Sequence, residues 1–185
     1  MNRLDQLAAN YGRQVALPWT HTASGAQRTI LVVYEKEQER ALRERIGAFE
    51  QATEDAGHRW LRFDLTSAFA NWLAAEPYRD AYFKKPAALR PRLDRGFVEP
   101  LCDRLSATLK AAGPDTAVAL TGVASLYGFT QVSAVLHRVQ GDVTGRLVVF
   151  FPGRRDGDTY RLLDARDGWN YLAPCVTADA IQPGR

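Results

Sequence analysis

Residues 29–34 read TILVVY, a run of β-branched and aliphatic residues with no polar alternation. A strand with one wet face alternates polar and apolar residues. A run like this one belongs in a parallel strand covered on both faces. Charge follows at Glu35, and the spacing predicts an amphipathic helix from about Lys36 to Ala56, with Leu42, Ile46 and Phe49 on one face and Gly57 as its stop. WLRFD (60–64) then reads as a second strand, which makes a right-handed βαβ unit. AVALT (117–121) and RLVVFF (146–151) are two further strands, and Thr159–Leu163 is an expected edge strand.

Between the strands lie three expected helices: 65–75 capped by Asp64, 96–112 stopped by Gly113-Pro114, and one carrying Phe129, Val132, Val135, Leu136 and Val139. Residues 76–100, with four prolines, read as irregular, and Pro152-Gly153 as the end of the fourth strand. The expected fold class is α/β: a single open, mostly parallel sheet with helices on both faces, in three layers. Residues 1–28 read as a peripheral arm, 29–172 as the single domain and 173–185 as a tail.

The chain has 185 residues, a length that favours one domain. Its 24 Lys and Arg against 21 Asp and Glu leave a charge of +3, too little for a dedicated nucleic-acid binder. Cys102 and Cys175 show no CxxC spacing and no nearby histidine, so two reduced, buried thiols are expected, with no metal site. The first residues lack the apolar core of a secretory signal, and no apolar run approaches the ~20 residues of a membrane span. A soluble, cytoplasmic protein is the expectation, with no membrane partner.

Chemistry-bearing patterns are sparse. The first strand runs into YEKEQER, where a dinucleotide site needs glycines, and no GxxxxGK[ST] occurs, so no cofactor is expected. No GxSxG elbow surrounds Ser125 or Ser133, and His21, His58 and His137 share no ligand spacing. Glu35 and Asp64, both at strand ends, are the one carboxylate pair placed to hold Mg²⁺ if their strands are neighbours. That arrangement would support a metal-dependent nuclease or phosphodiesterase; a helix-capping Asp64 and a solvated Glu35 are the plainer reading. Residues 79–95 place Lys84, Lys85, Arg90 and Arg92 among Tyr78, Tyr82 and Phe83, which suits single-stranded nucleic acid or a protein partner.

The second half carries a resemblance. LTGVASLYGFTQVSAVLHRV, LVVFFPGRRDGDTYRLL and DGWNY follow one another, and the series resembles the BrxB family of bacteriophage-exclusion (BREX) defence systems. The matching positions are Thr121-Gly122, Tyr127, Phe151-Pro152-Gly153, Asp156-Gly157, Leu162-Leu163 and Asn170-Tyr171. The likeness covers about residues 28–172 and departs at the Pro/Arg-rich middle, at Leu172 and in the tail. It implies an accessory protein with no catalytic residues, working beside a PglZ-like phosphatase-fold protein and an AAA-type ATPase. On that expectation the chain is no enzyme but an adaptor, and Tyr127, Phe129, Trp169 and Tyr171 are its candidate partner-binding residues, since aromatics dominate interface hot spots.

Overall fold

The computed structural model describes residues 2–20, 22–165 and 169–184. The chain opens with α1 (Arg3–Val15), whose first turn is closed by a reciprocal cap: Asn2 Oδ1 accepts from Asp5 N at 2.9 Å and the Asp5 carboxylate accepts from Asn2 N at 3.3 Å. β1 (Thr29–Tyr34) follows, buried at every position. One 3₁₀ turn leads into α2 (Glu39–Asp55), then β2 (Arg59–Asp64). α3 (Ala68–Ala75) starts three residues later than Asp64 would set it as a cap. Asp64 Oδ1 instead accepts from Thr66 N at 3.0 Å and Thr66 Oγ1 at 2.7 Å, which closes a turn ahead of the helix.

The stretch expected to be irregular is a succession of short helical pieces. α4 (Arg79–Lys84), a 3₁₀ turn (Pro86–Leu89), α5 (Arg90–Arg92) and a π-helical turn (Leu93–Val98) run into α6 (Glu99–Ala112). Pro86, Pro91 and Pro100 each fall in the first turn of a piece, where a missing N–H leaves no helical bond unmade. β3 (Thr116–Thr121) and α7 (Val132–Val139) come next, with Phe129 in the turn before α7.

β4 (Arg146–Asp156) does not stop at Pro152-Gly153. Its first half pairs parallel with β1 and β3; beyond Pro152 it pairs antiparallel with β5 (Thr159–Leu162). Pro152 offers only its carbonyl to that ladder, accepting from Leu163 N at 2.8 Å, so its missing donor is not needed. A Cβ on Gly153 would run into the Arg161 carbonyl, so glycine is what lets β5 approach. β6 (Trp169–Asn170) extends this ribbon, and β7 (Cys175–Val176) and β8 (Ile181–Gln182) end the chain.

The main sheet runs β2-β3-β4-β1-β7-β8, with only β8 antiparallel along that path. It is an open, mostly parallel sheet with helices on both faces, as the continuous apolar strands require. Ile30 and Val32 point to one face with Ala119, Val148 and Phe150, where α1 and α2 cover them with Leu7, Tyr11, Val15, Leu42 and Phe49. Leu31 and Val33 point to the other with Val118, Leu120 and Val149, under Leu105 and Leu109 of α6 and Val135 and Leu136 of α7.

Both ends of the chain therefore differ from the expected arm and tail. The α1 side chains Leu4, Leu7, Tyr11 and Val15 are buried, and the Tyr11 hydroxyl meets Thr53 Oγ1 of α2 at 2.7 Å. Burial and α1 packing leave no peripheral arm. β7 adds a parallel strand to the free side of β1, with Leu31 N donating to Pro174 O at 2.9 Å, so the tail is part of the sheet.

Candidate functional site

Ligands of open parallel sheets sit beyond the carboxyl ends of the strands. Here those ends carry Tyr34, Asp64, Thr121 and Gly122, and between Tyr34 and Thr121 the chain fills the space with its own side chains. The Tyr34 hydroxyl donates to the Glu39 carboxylate, which also takes Arg43 Nε at 2.8 Å. Burial pushes the Tyr34 hydroxyl far above its ordinary value, and the Glu39 carboxylate adds to this, so it stays a proton donor. From β2, Arg62 reaches Thr121 Oγ1 at 3.3 Å and Asp64 Oδ2 at 3.4 Å.

Asp64 balances opposing effects. Burial raises its carboxyl, but the two bonds from Thr66 and the Arg62 guanidinium outweigh that and hold it below the usual carboxylate range. Gly122 closes the floor at φ 72°; a Cβ there would lie 2.5 Å from Thr66 Oγ1 and 2.7 Å from Thr66 N, so β3 meets the turn after β2 backbone to backbone. What remains between Tyr34, Arg62, Thr66, Thr121 and Gly122 is a cavity of about 10 Å³, room for at most one water.

The strand order separates Glu35 from Asp64. β3 and β4 lie between β1 and β2, so three strand spacings of roughly 4.8 Å hold these ends about 14 Å apart. They do not share an ion: Glu35 lies 3.6 Å from Arg3, and Asp64 is engaged by Thr66 and Arg62. Among the described residues no three His, Cys, Asp or Glu side chains gather at a spacing that would hold a metal. Cys102 and Cys175 are both buried and unbridged, and burial pushes both thiols up, away from the reactive thiolate. His21, Arg166 and the Asp167-Gly168 pair of DGWNY lie outside the described residues.

The four aromatic candidates fall into two separate groups. Tyr127 is 55% exposed, whereas Phe129 is partly buried and stacks on Phe69 at 3.7 Å between ring centres. Phe69 in turn packs against Trp72 and edge-on to Phe97. Trp169 is partly buried among Phe151, Tyr160 and Tyr171, and Tyr171 is buried with its hydroxyl donating to Gln140 at 3.2 Å. Of the four, Tyr127 alone presents most of its ring to solvent.

Sequence reasoning grouped Tyr78, Tyr82 and Phe83 with the cations of residues 79–95 and did not tell the exposed rings from the buried one. Tyr78, just before α4, and Phe83, within it, are 68% and 66% exposed, while Tyr82 beside Phe83 is buried. The helical spacing of Tyr82 and Phe83 was the available signal: adjacent residues on a helix point about 100° apart, so one in the core leaves the other outside. α3 touches both α4 and the 3₁₀ turn Val123–Leu126 that leads to Tyr127. Lys84, Lys85, Arg90 and Arg92 are exposed on the same helical run, Arg92 at 3.4 Å from Glu76. No helix of the described residues is long and apolar enough to cross a membrane. No family model, no curated protein and no solved structure matches the chain.

Proposed function

We propose that this chain is a non-catalytic adaptor of a BREX-like bacterial antiviral complex, and that it acts by binding another defence protein, a PglZ-like phosphatase-fold protein or an AAA-type ATPase. The observation that carries this reading is the filling of the space over the central strand ends, where Tyr34, Arg62, Thr66 and Thr121 leave about 10 Å³, while the cavity of about 320 Å³ beside Asp64 lies at the border strand between Trp72, Phe97 and Arg104. With the space over the central strand ends occupied from within, the working part is an outer surface. Tyr78, Phe83 and Tyr127 are the exposed aromatic rings of that surface, and the cations of residues 84–92 form its charged border. The metal-dependent alternative has lost its site, because Glu35 and Asp64 stand on strands that are not neighbours.

Affinity purification of the tagged chain from the native host tests the proposal. The expected result is a co-purifying defence protein whose recovery falls at least ~30-fold in a Tyr78→Ala, Phe83→Ala, Tyr127→Ala triple variant that keeps its circular dichroism, as losing ~2 kcal/mol of contact would give. Recovery unchanged by the triple variant overturns it. So does steeply salt-dependent retention on single-stranded DNA that is lost with Lys84, Lys85, Arg90 and Arg92, since that outcome makes the same segment a nucleic-acid surface.

A further inference from the structure

Arg146 opens β4 at the amino ends of the parallel strands, the opposite end of the sheet from the space that Tyr34 and Thr121 fill. Its guanidinium lies 5.0 Å from the centre of the Trp19 indole and reaches one protein oxygen, Gly145 O at 3.4 Å. A guanidinium carries five N–H donors in one plane, so most of them are left over. Arg28, whose carbonyl accepts from Leu147 N at 3.1 Å, turns its own donors to Ala23 O and Val143 O. Among the described residues neither arginine forms an ion pair with a carboxylate. Burial, and after it the Arg28 charge, pulls Arg146 below its ordinary value.

A half-buried charge with no counterion is costly to keep in a fold, and this one faces an open cavity of about 630 Å³. That volume suits a small molecule. The Gln14 and Gln27 amides and the Thr20 and Thr22 hydroxyls add donors to its lining, which contains no acidic side chain among the described residues. Leu17 and Ile181 give it an apolar wall. We propose that this cavity binds a small organic phosphate monoester, with Arg146 as the anchor of its phosphate group. Charge selects the class. Two arginines without an acid match a phosphate monoester, which carries about −1.5 to −2 at pH 7, better than a singly charged carboxylate. The planar fork of Arg146, set against the Trp19 ring, fits two phosphate oxygens, and the organic part lies along the apolar wall.

Calorimetric titration of the whole chain with phenyl phosphate, at constant ionic strength, tests this. The expected dissociation constant is on the order of 100 µM. Arg146→Gln, in a variant that keeps its circular dichroism, weakens it at least ~10-fold, the scale of one charge-assisted bond, and benzoate binds at least ~10-fold more weakly than phenyl phosphate. His58 gives a second reading that needs no change at Arg146. Its ring stacks on Trp19; burial holds its titration low, Asp115 opposes this, and the Arg146 charge adds to it. A phosphate seated on Arg146 offsets that last contribution, so the His58 midpoint, followed by proton NMR and assigned by its absence in His58→Phe, rises on saturation with phenyl phosphate. No binding at about 3 mM phenyl phosphate, ~30 times the expected constant, overturns the proposal. So does Arg146→Gln binding as tightly as the parent, benzoate binding as tightly as phenyl phosphate, or a His58 midpoint that does not move.

Discussion

His58 stands between β2 and the preceding turn with its ring stacked on Trp19, 3.6 Å between centres and 10° from parallel. The Arg146 guanidinium lies 5.0 Å from the centre of the same indole. Burial pushes the imidazole below its ordinary value; Asp115 opposes the shift and Arg146 adds to it. Because the folded value is the lower one, protonation favours the unfolded chain. The stabilisation is complete above the unfolded value of about 6.5 and is lost as pH falls through the folded one. His58→Phe keeps an aromatic ring on Trp19, removes the titration and strands no bonded partner of Nδ1, which is buried without one. Urea midpoints measured between about pH 7 and pH 5 should therefore fall less steeply in His58→Phe than in the parent chain. Equal slopes would place that pH dependence elsewhere.

At the scale of elements, β7 shows what a two-residue strand can hold in place. Cys175 and Val176 pair with Leu31 and Val32, and Pro174 O accepts from Leu31 N at 2.9 Å. Just beyond, Asn10 of α1 donates to Thr177 O at 2.8 Å, which ties the helix to the last strands. A chain ending at residue 172 would lose this edge and expose the outer side of β1. It should melt at least ~4 °C below the full chain, as ~2 kcal/mol of lost contact gives at this length, and its α1 should be the first site of proteolysis. The same elements mark how far the sequence speaks. TILVVY, AVALT and RLVVFF were legible as strands because burial on both faces is written into consecutive residues. Two residues carry no period, so β7 was not legible; the free side of β1 makes it a strand. The Leu4, Leu7, Ala8 spacing suits a short helix but cannot say that a bare sheet face awaits it. Glu35 and Asp64 failed as a pair for a related reason: both strand ends were correct, and the order of strands is set by crossovers that no local pattern records.

Across the whole molecule the sheet separates two apolar clusters that share strands but not side chains. Ile30 and Val32 belong to one, Leu31 and Val33 to the other, so each strand serves both layers through alternate residues. Val15 in α1 and Val139 in α7, 0% and 1% exposed, lie deep in opposite clusters. Truncating either to Ala removes two methyl groups and leaves a small void, a cost of about 2 kcal/mol each. Helix layers on opposite faces of a sheet are about 20 Å apart, beyond the range at which such losses interact, so the double variant should lose their sum within ~0.5 kcal/mol. Tryptophans report from both sides: Trp19 and Trp60 pack against the α1/α2 cluster, Trp72 and Trp169 against the other. If the sheet couples the layers, fluorescence and far-ultraviolet circular dichroism give coincident urea transitions in the parent and in all three variants. If α1 were only an arm, Val15→Ala would instead produce an early fluorescence step while the main transition kept its midpoint. Coincidence after both truncations is the outcome expected of a chain whose first residues and last strands close the same sheet.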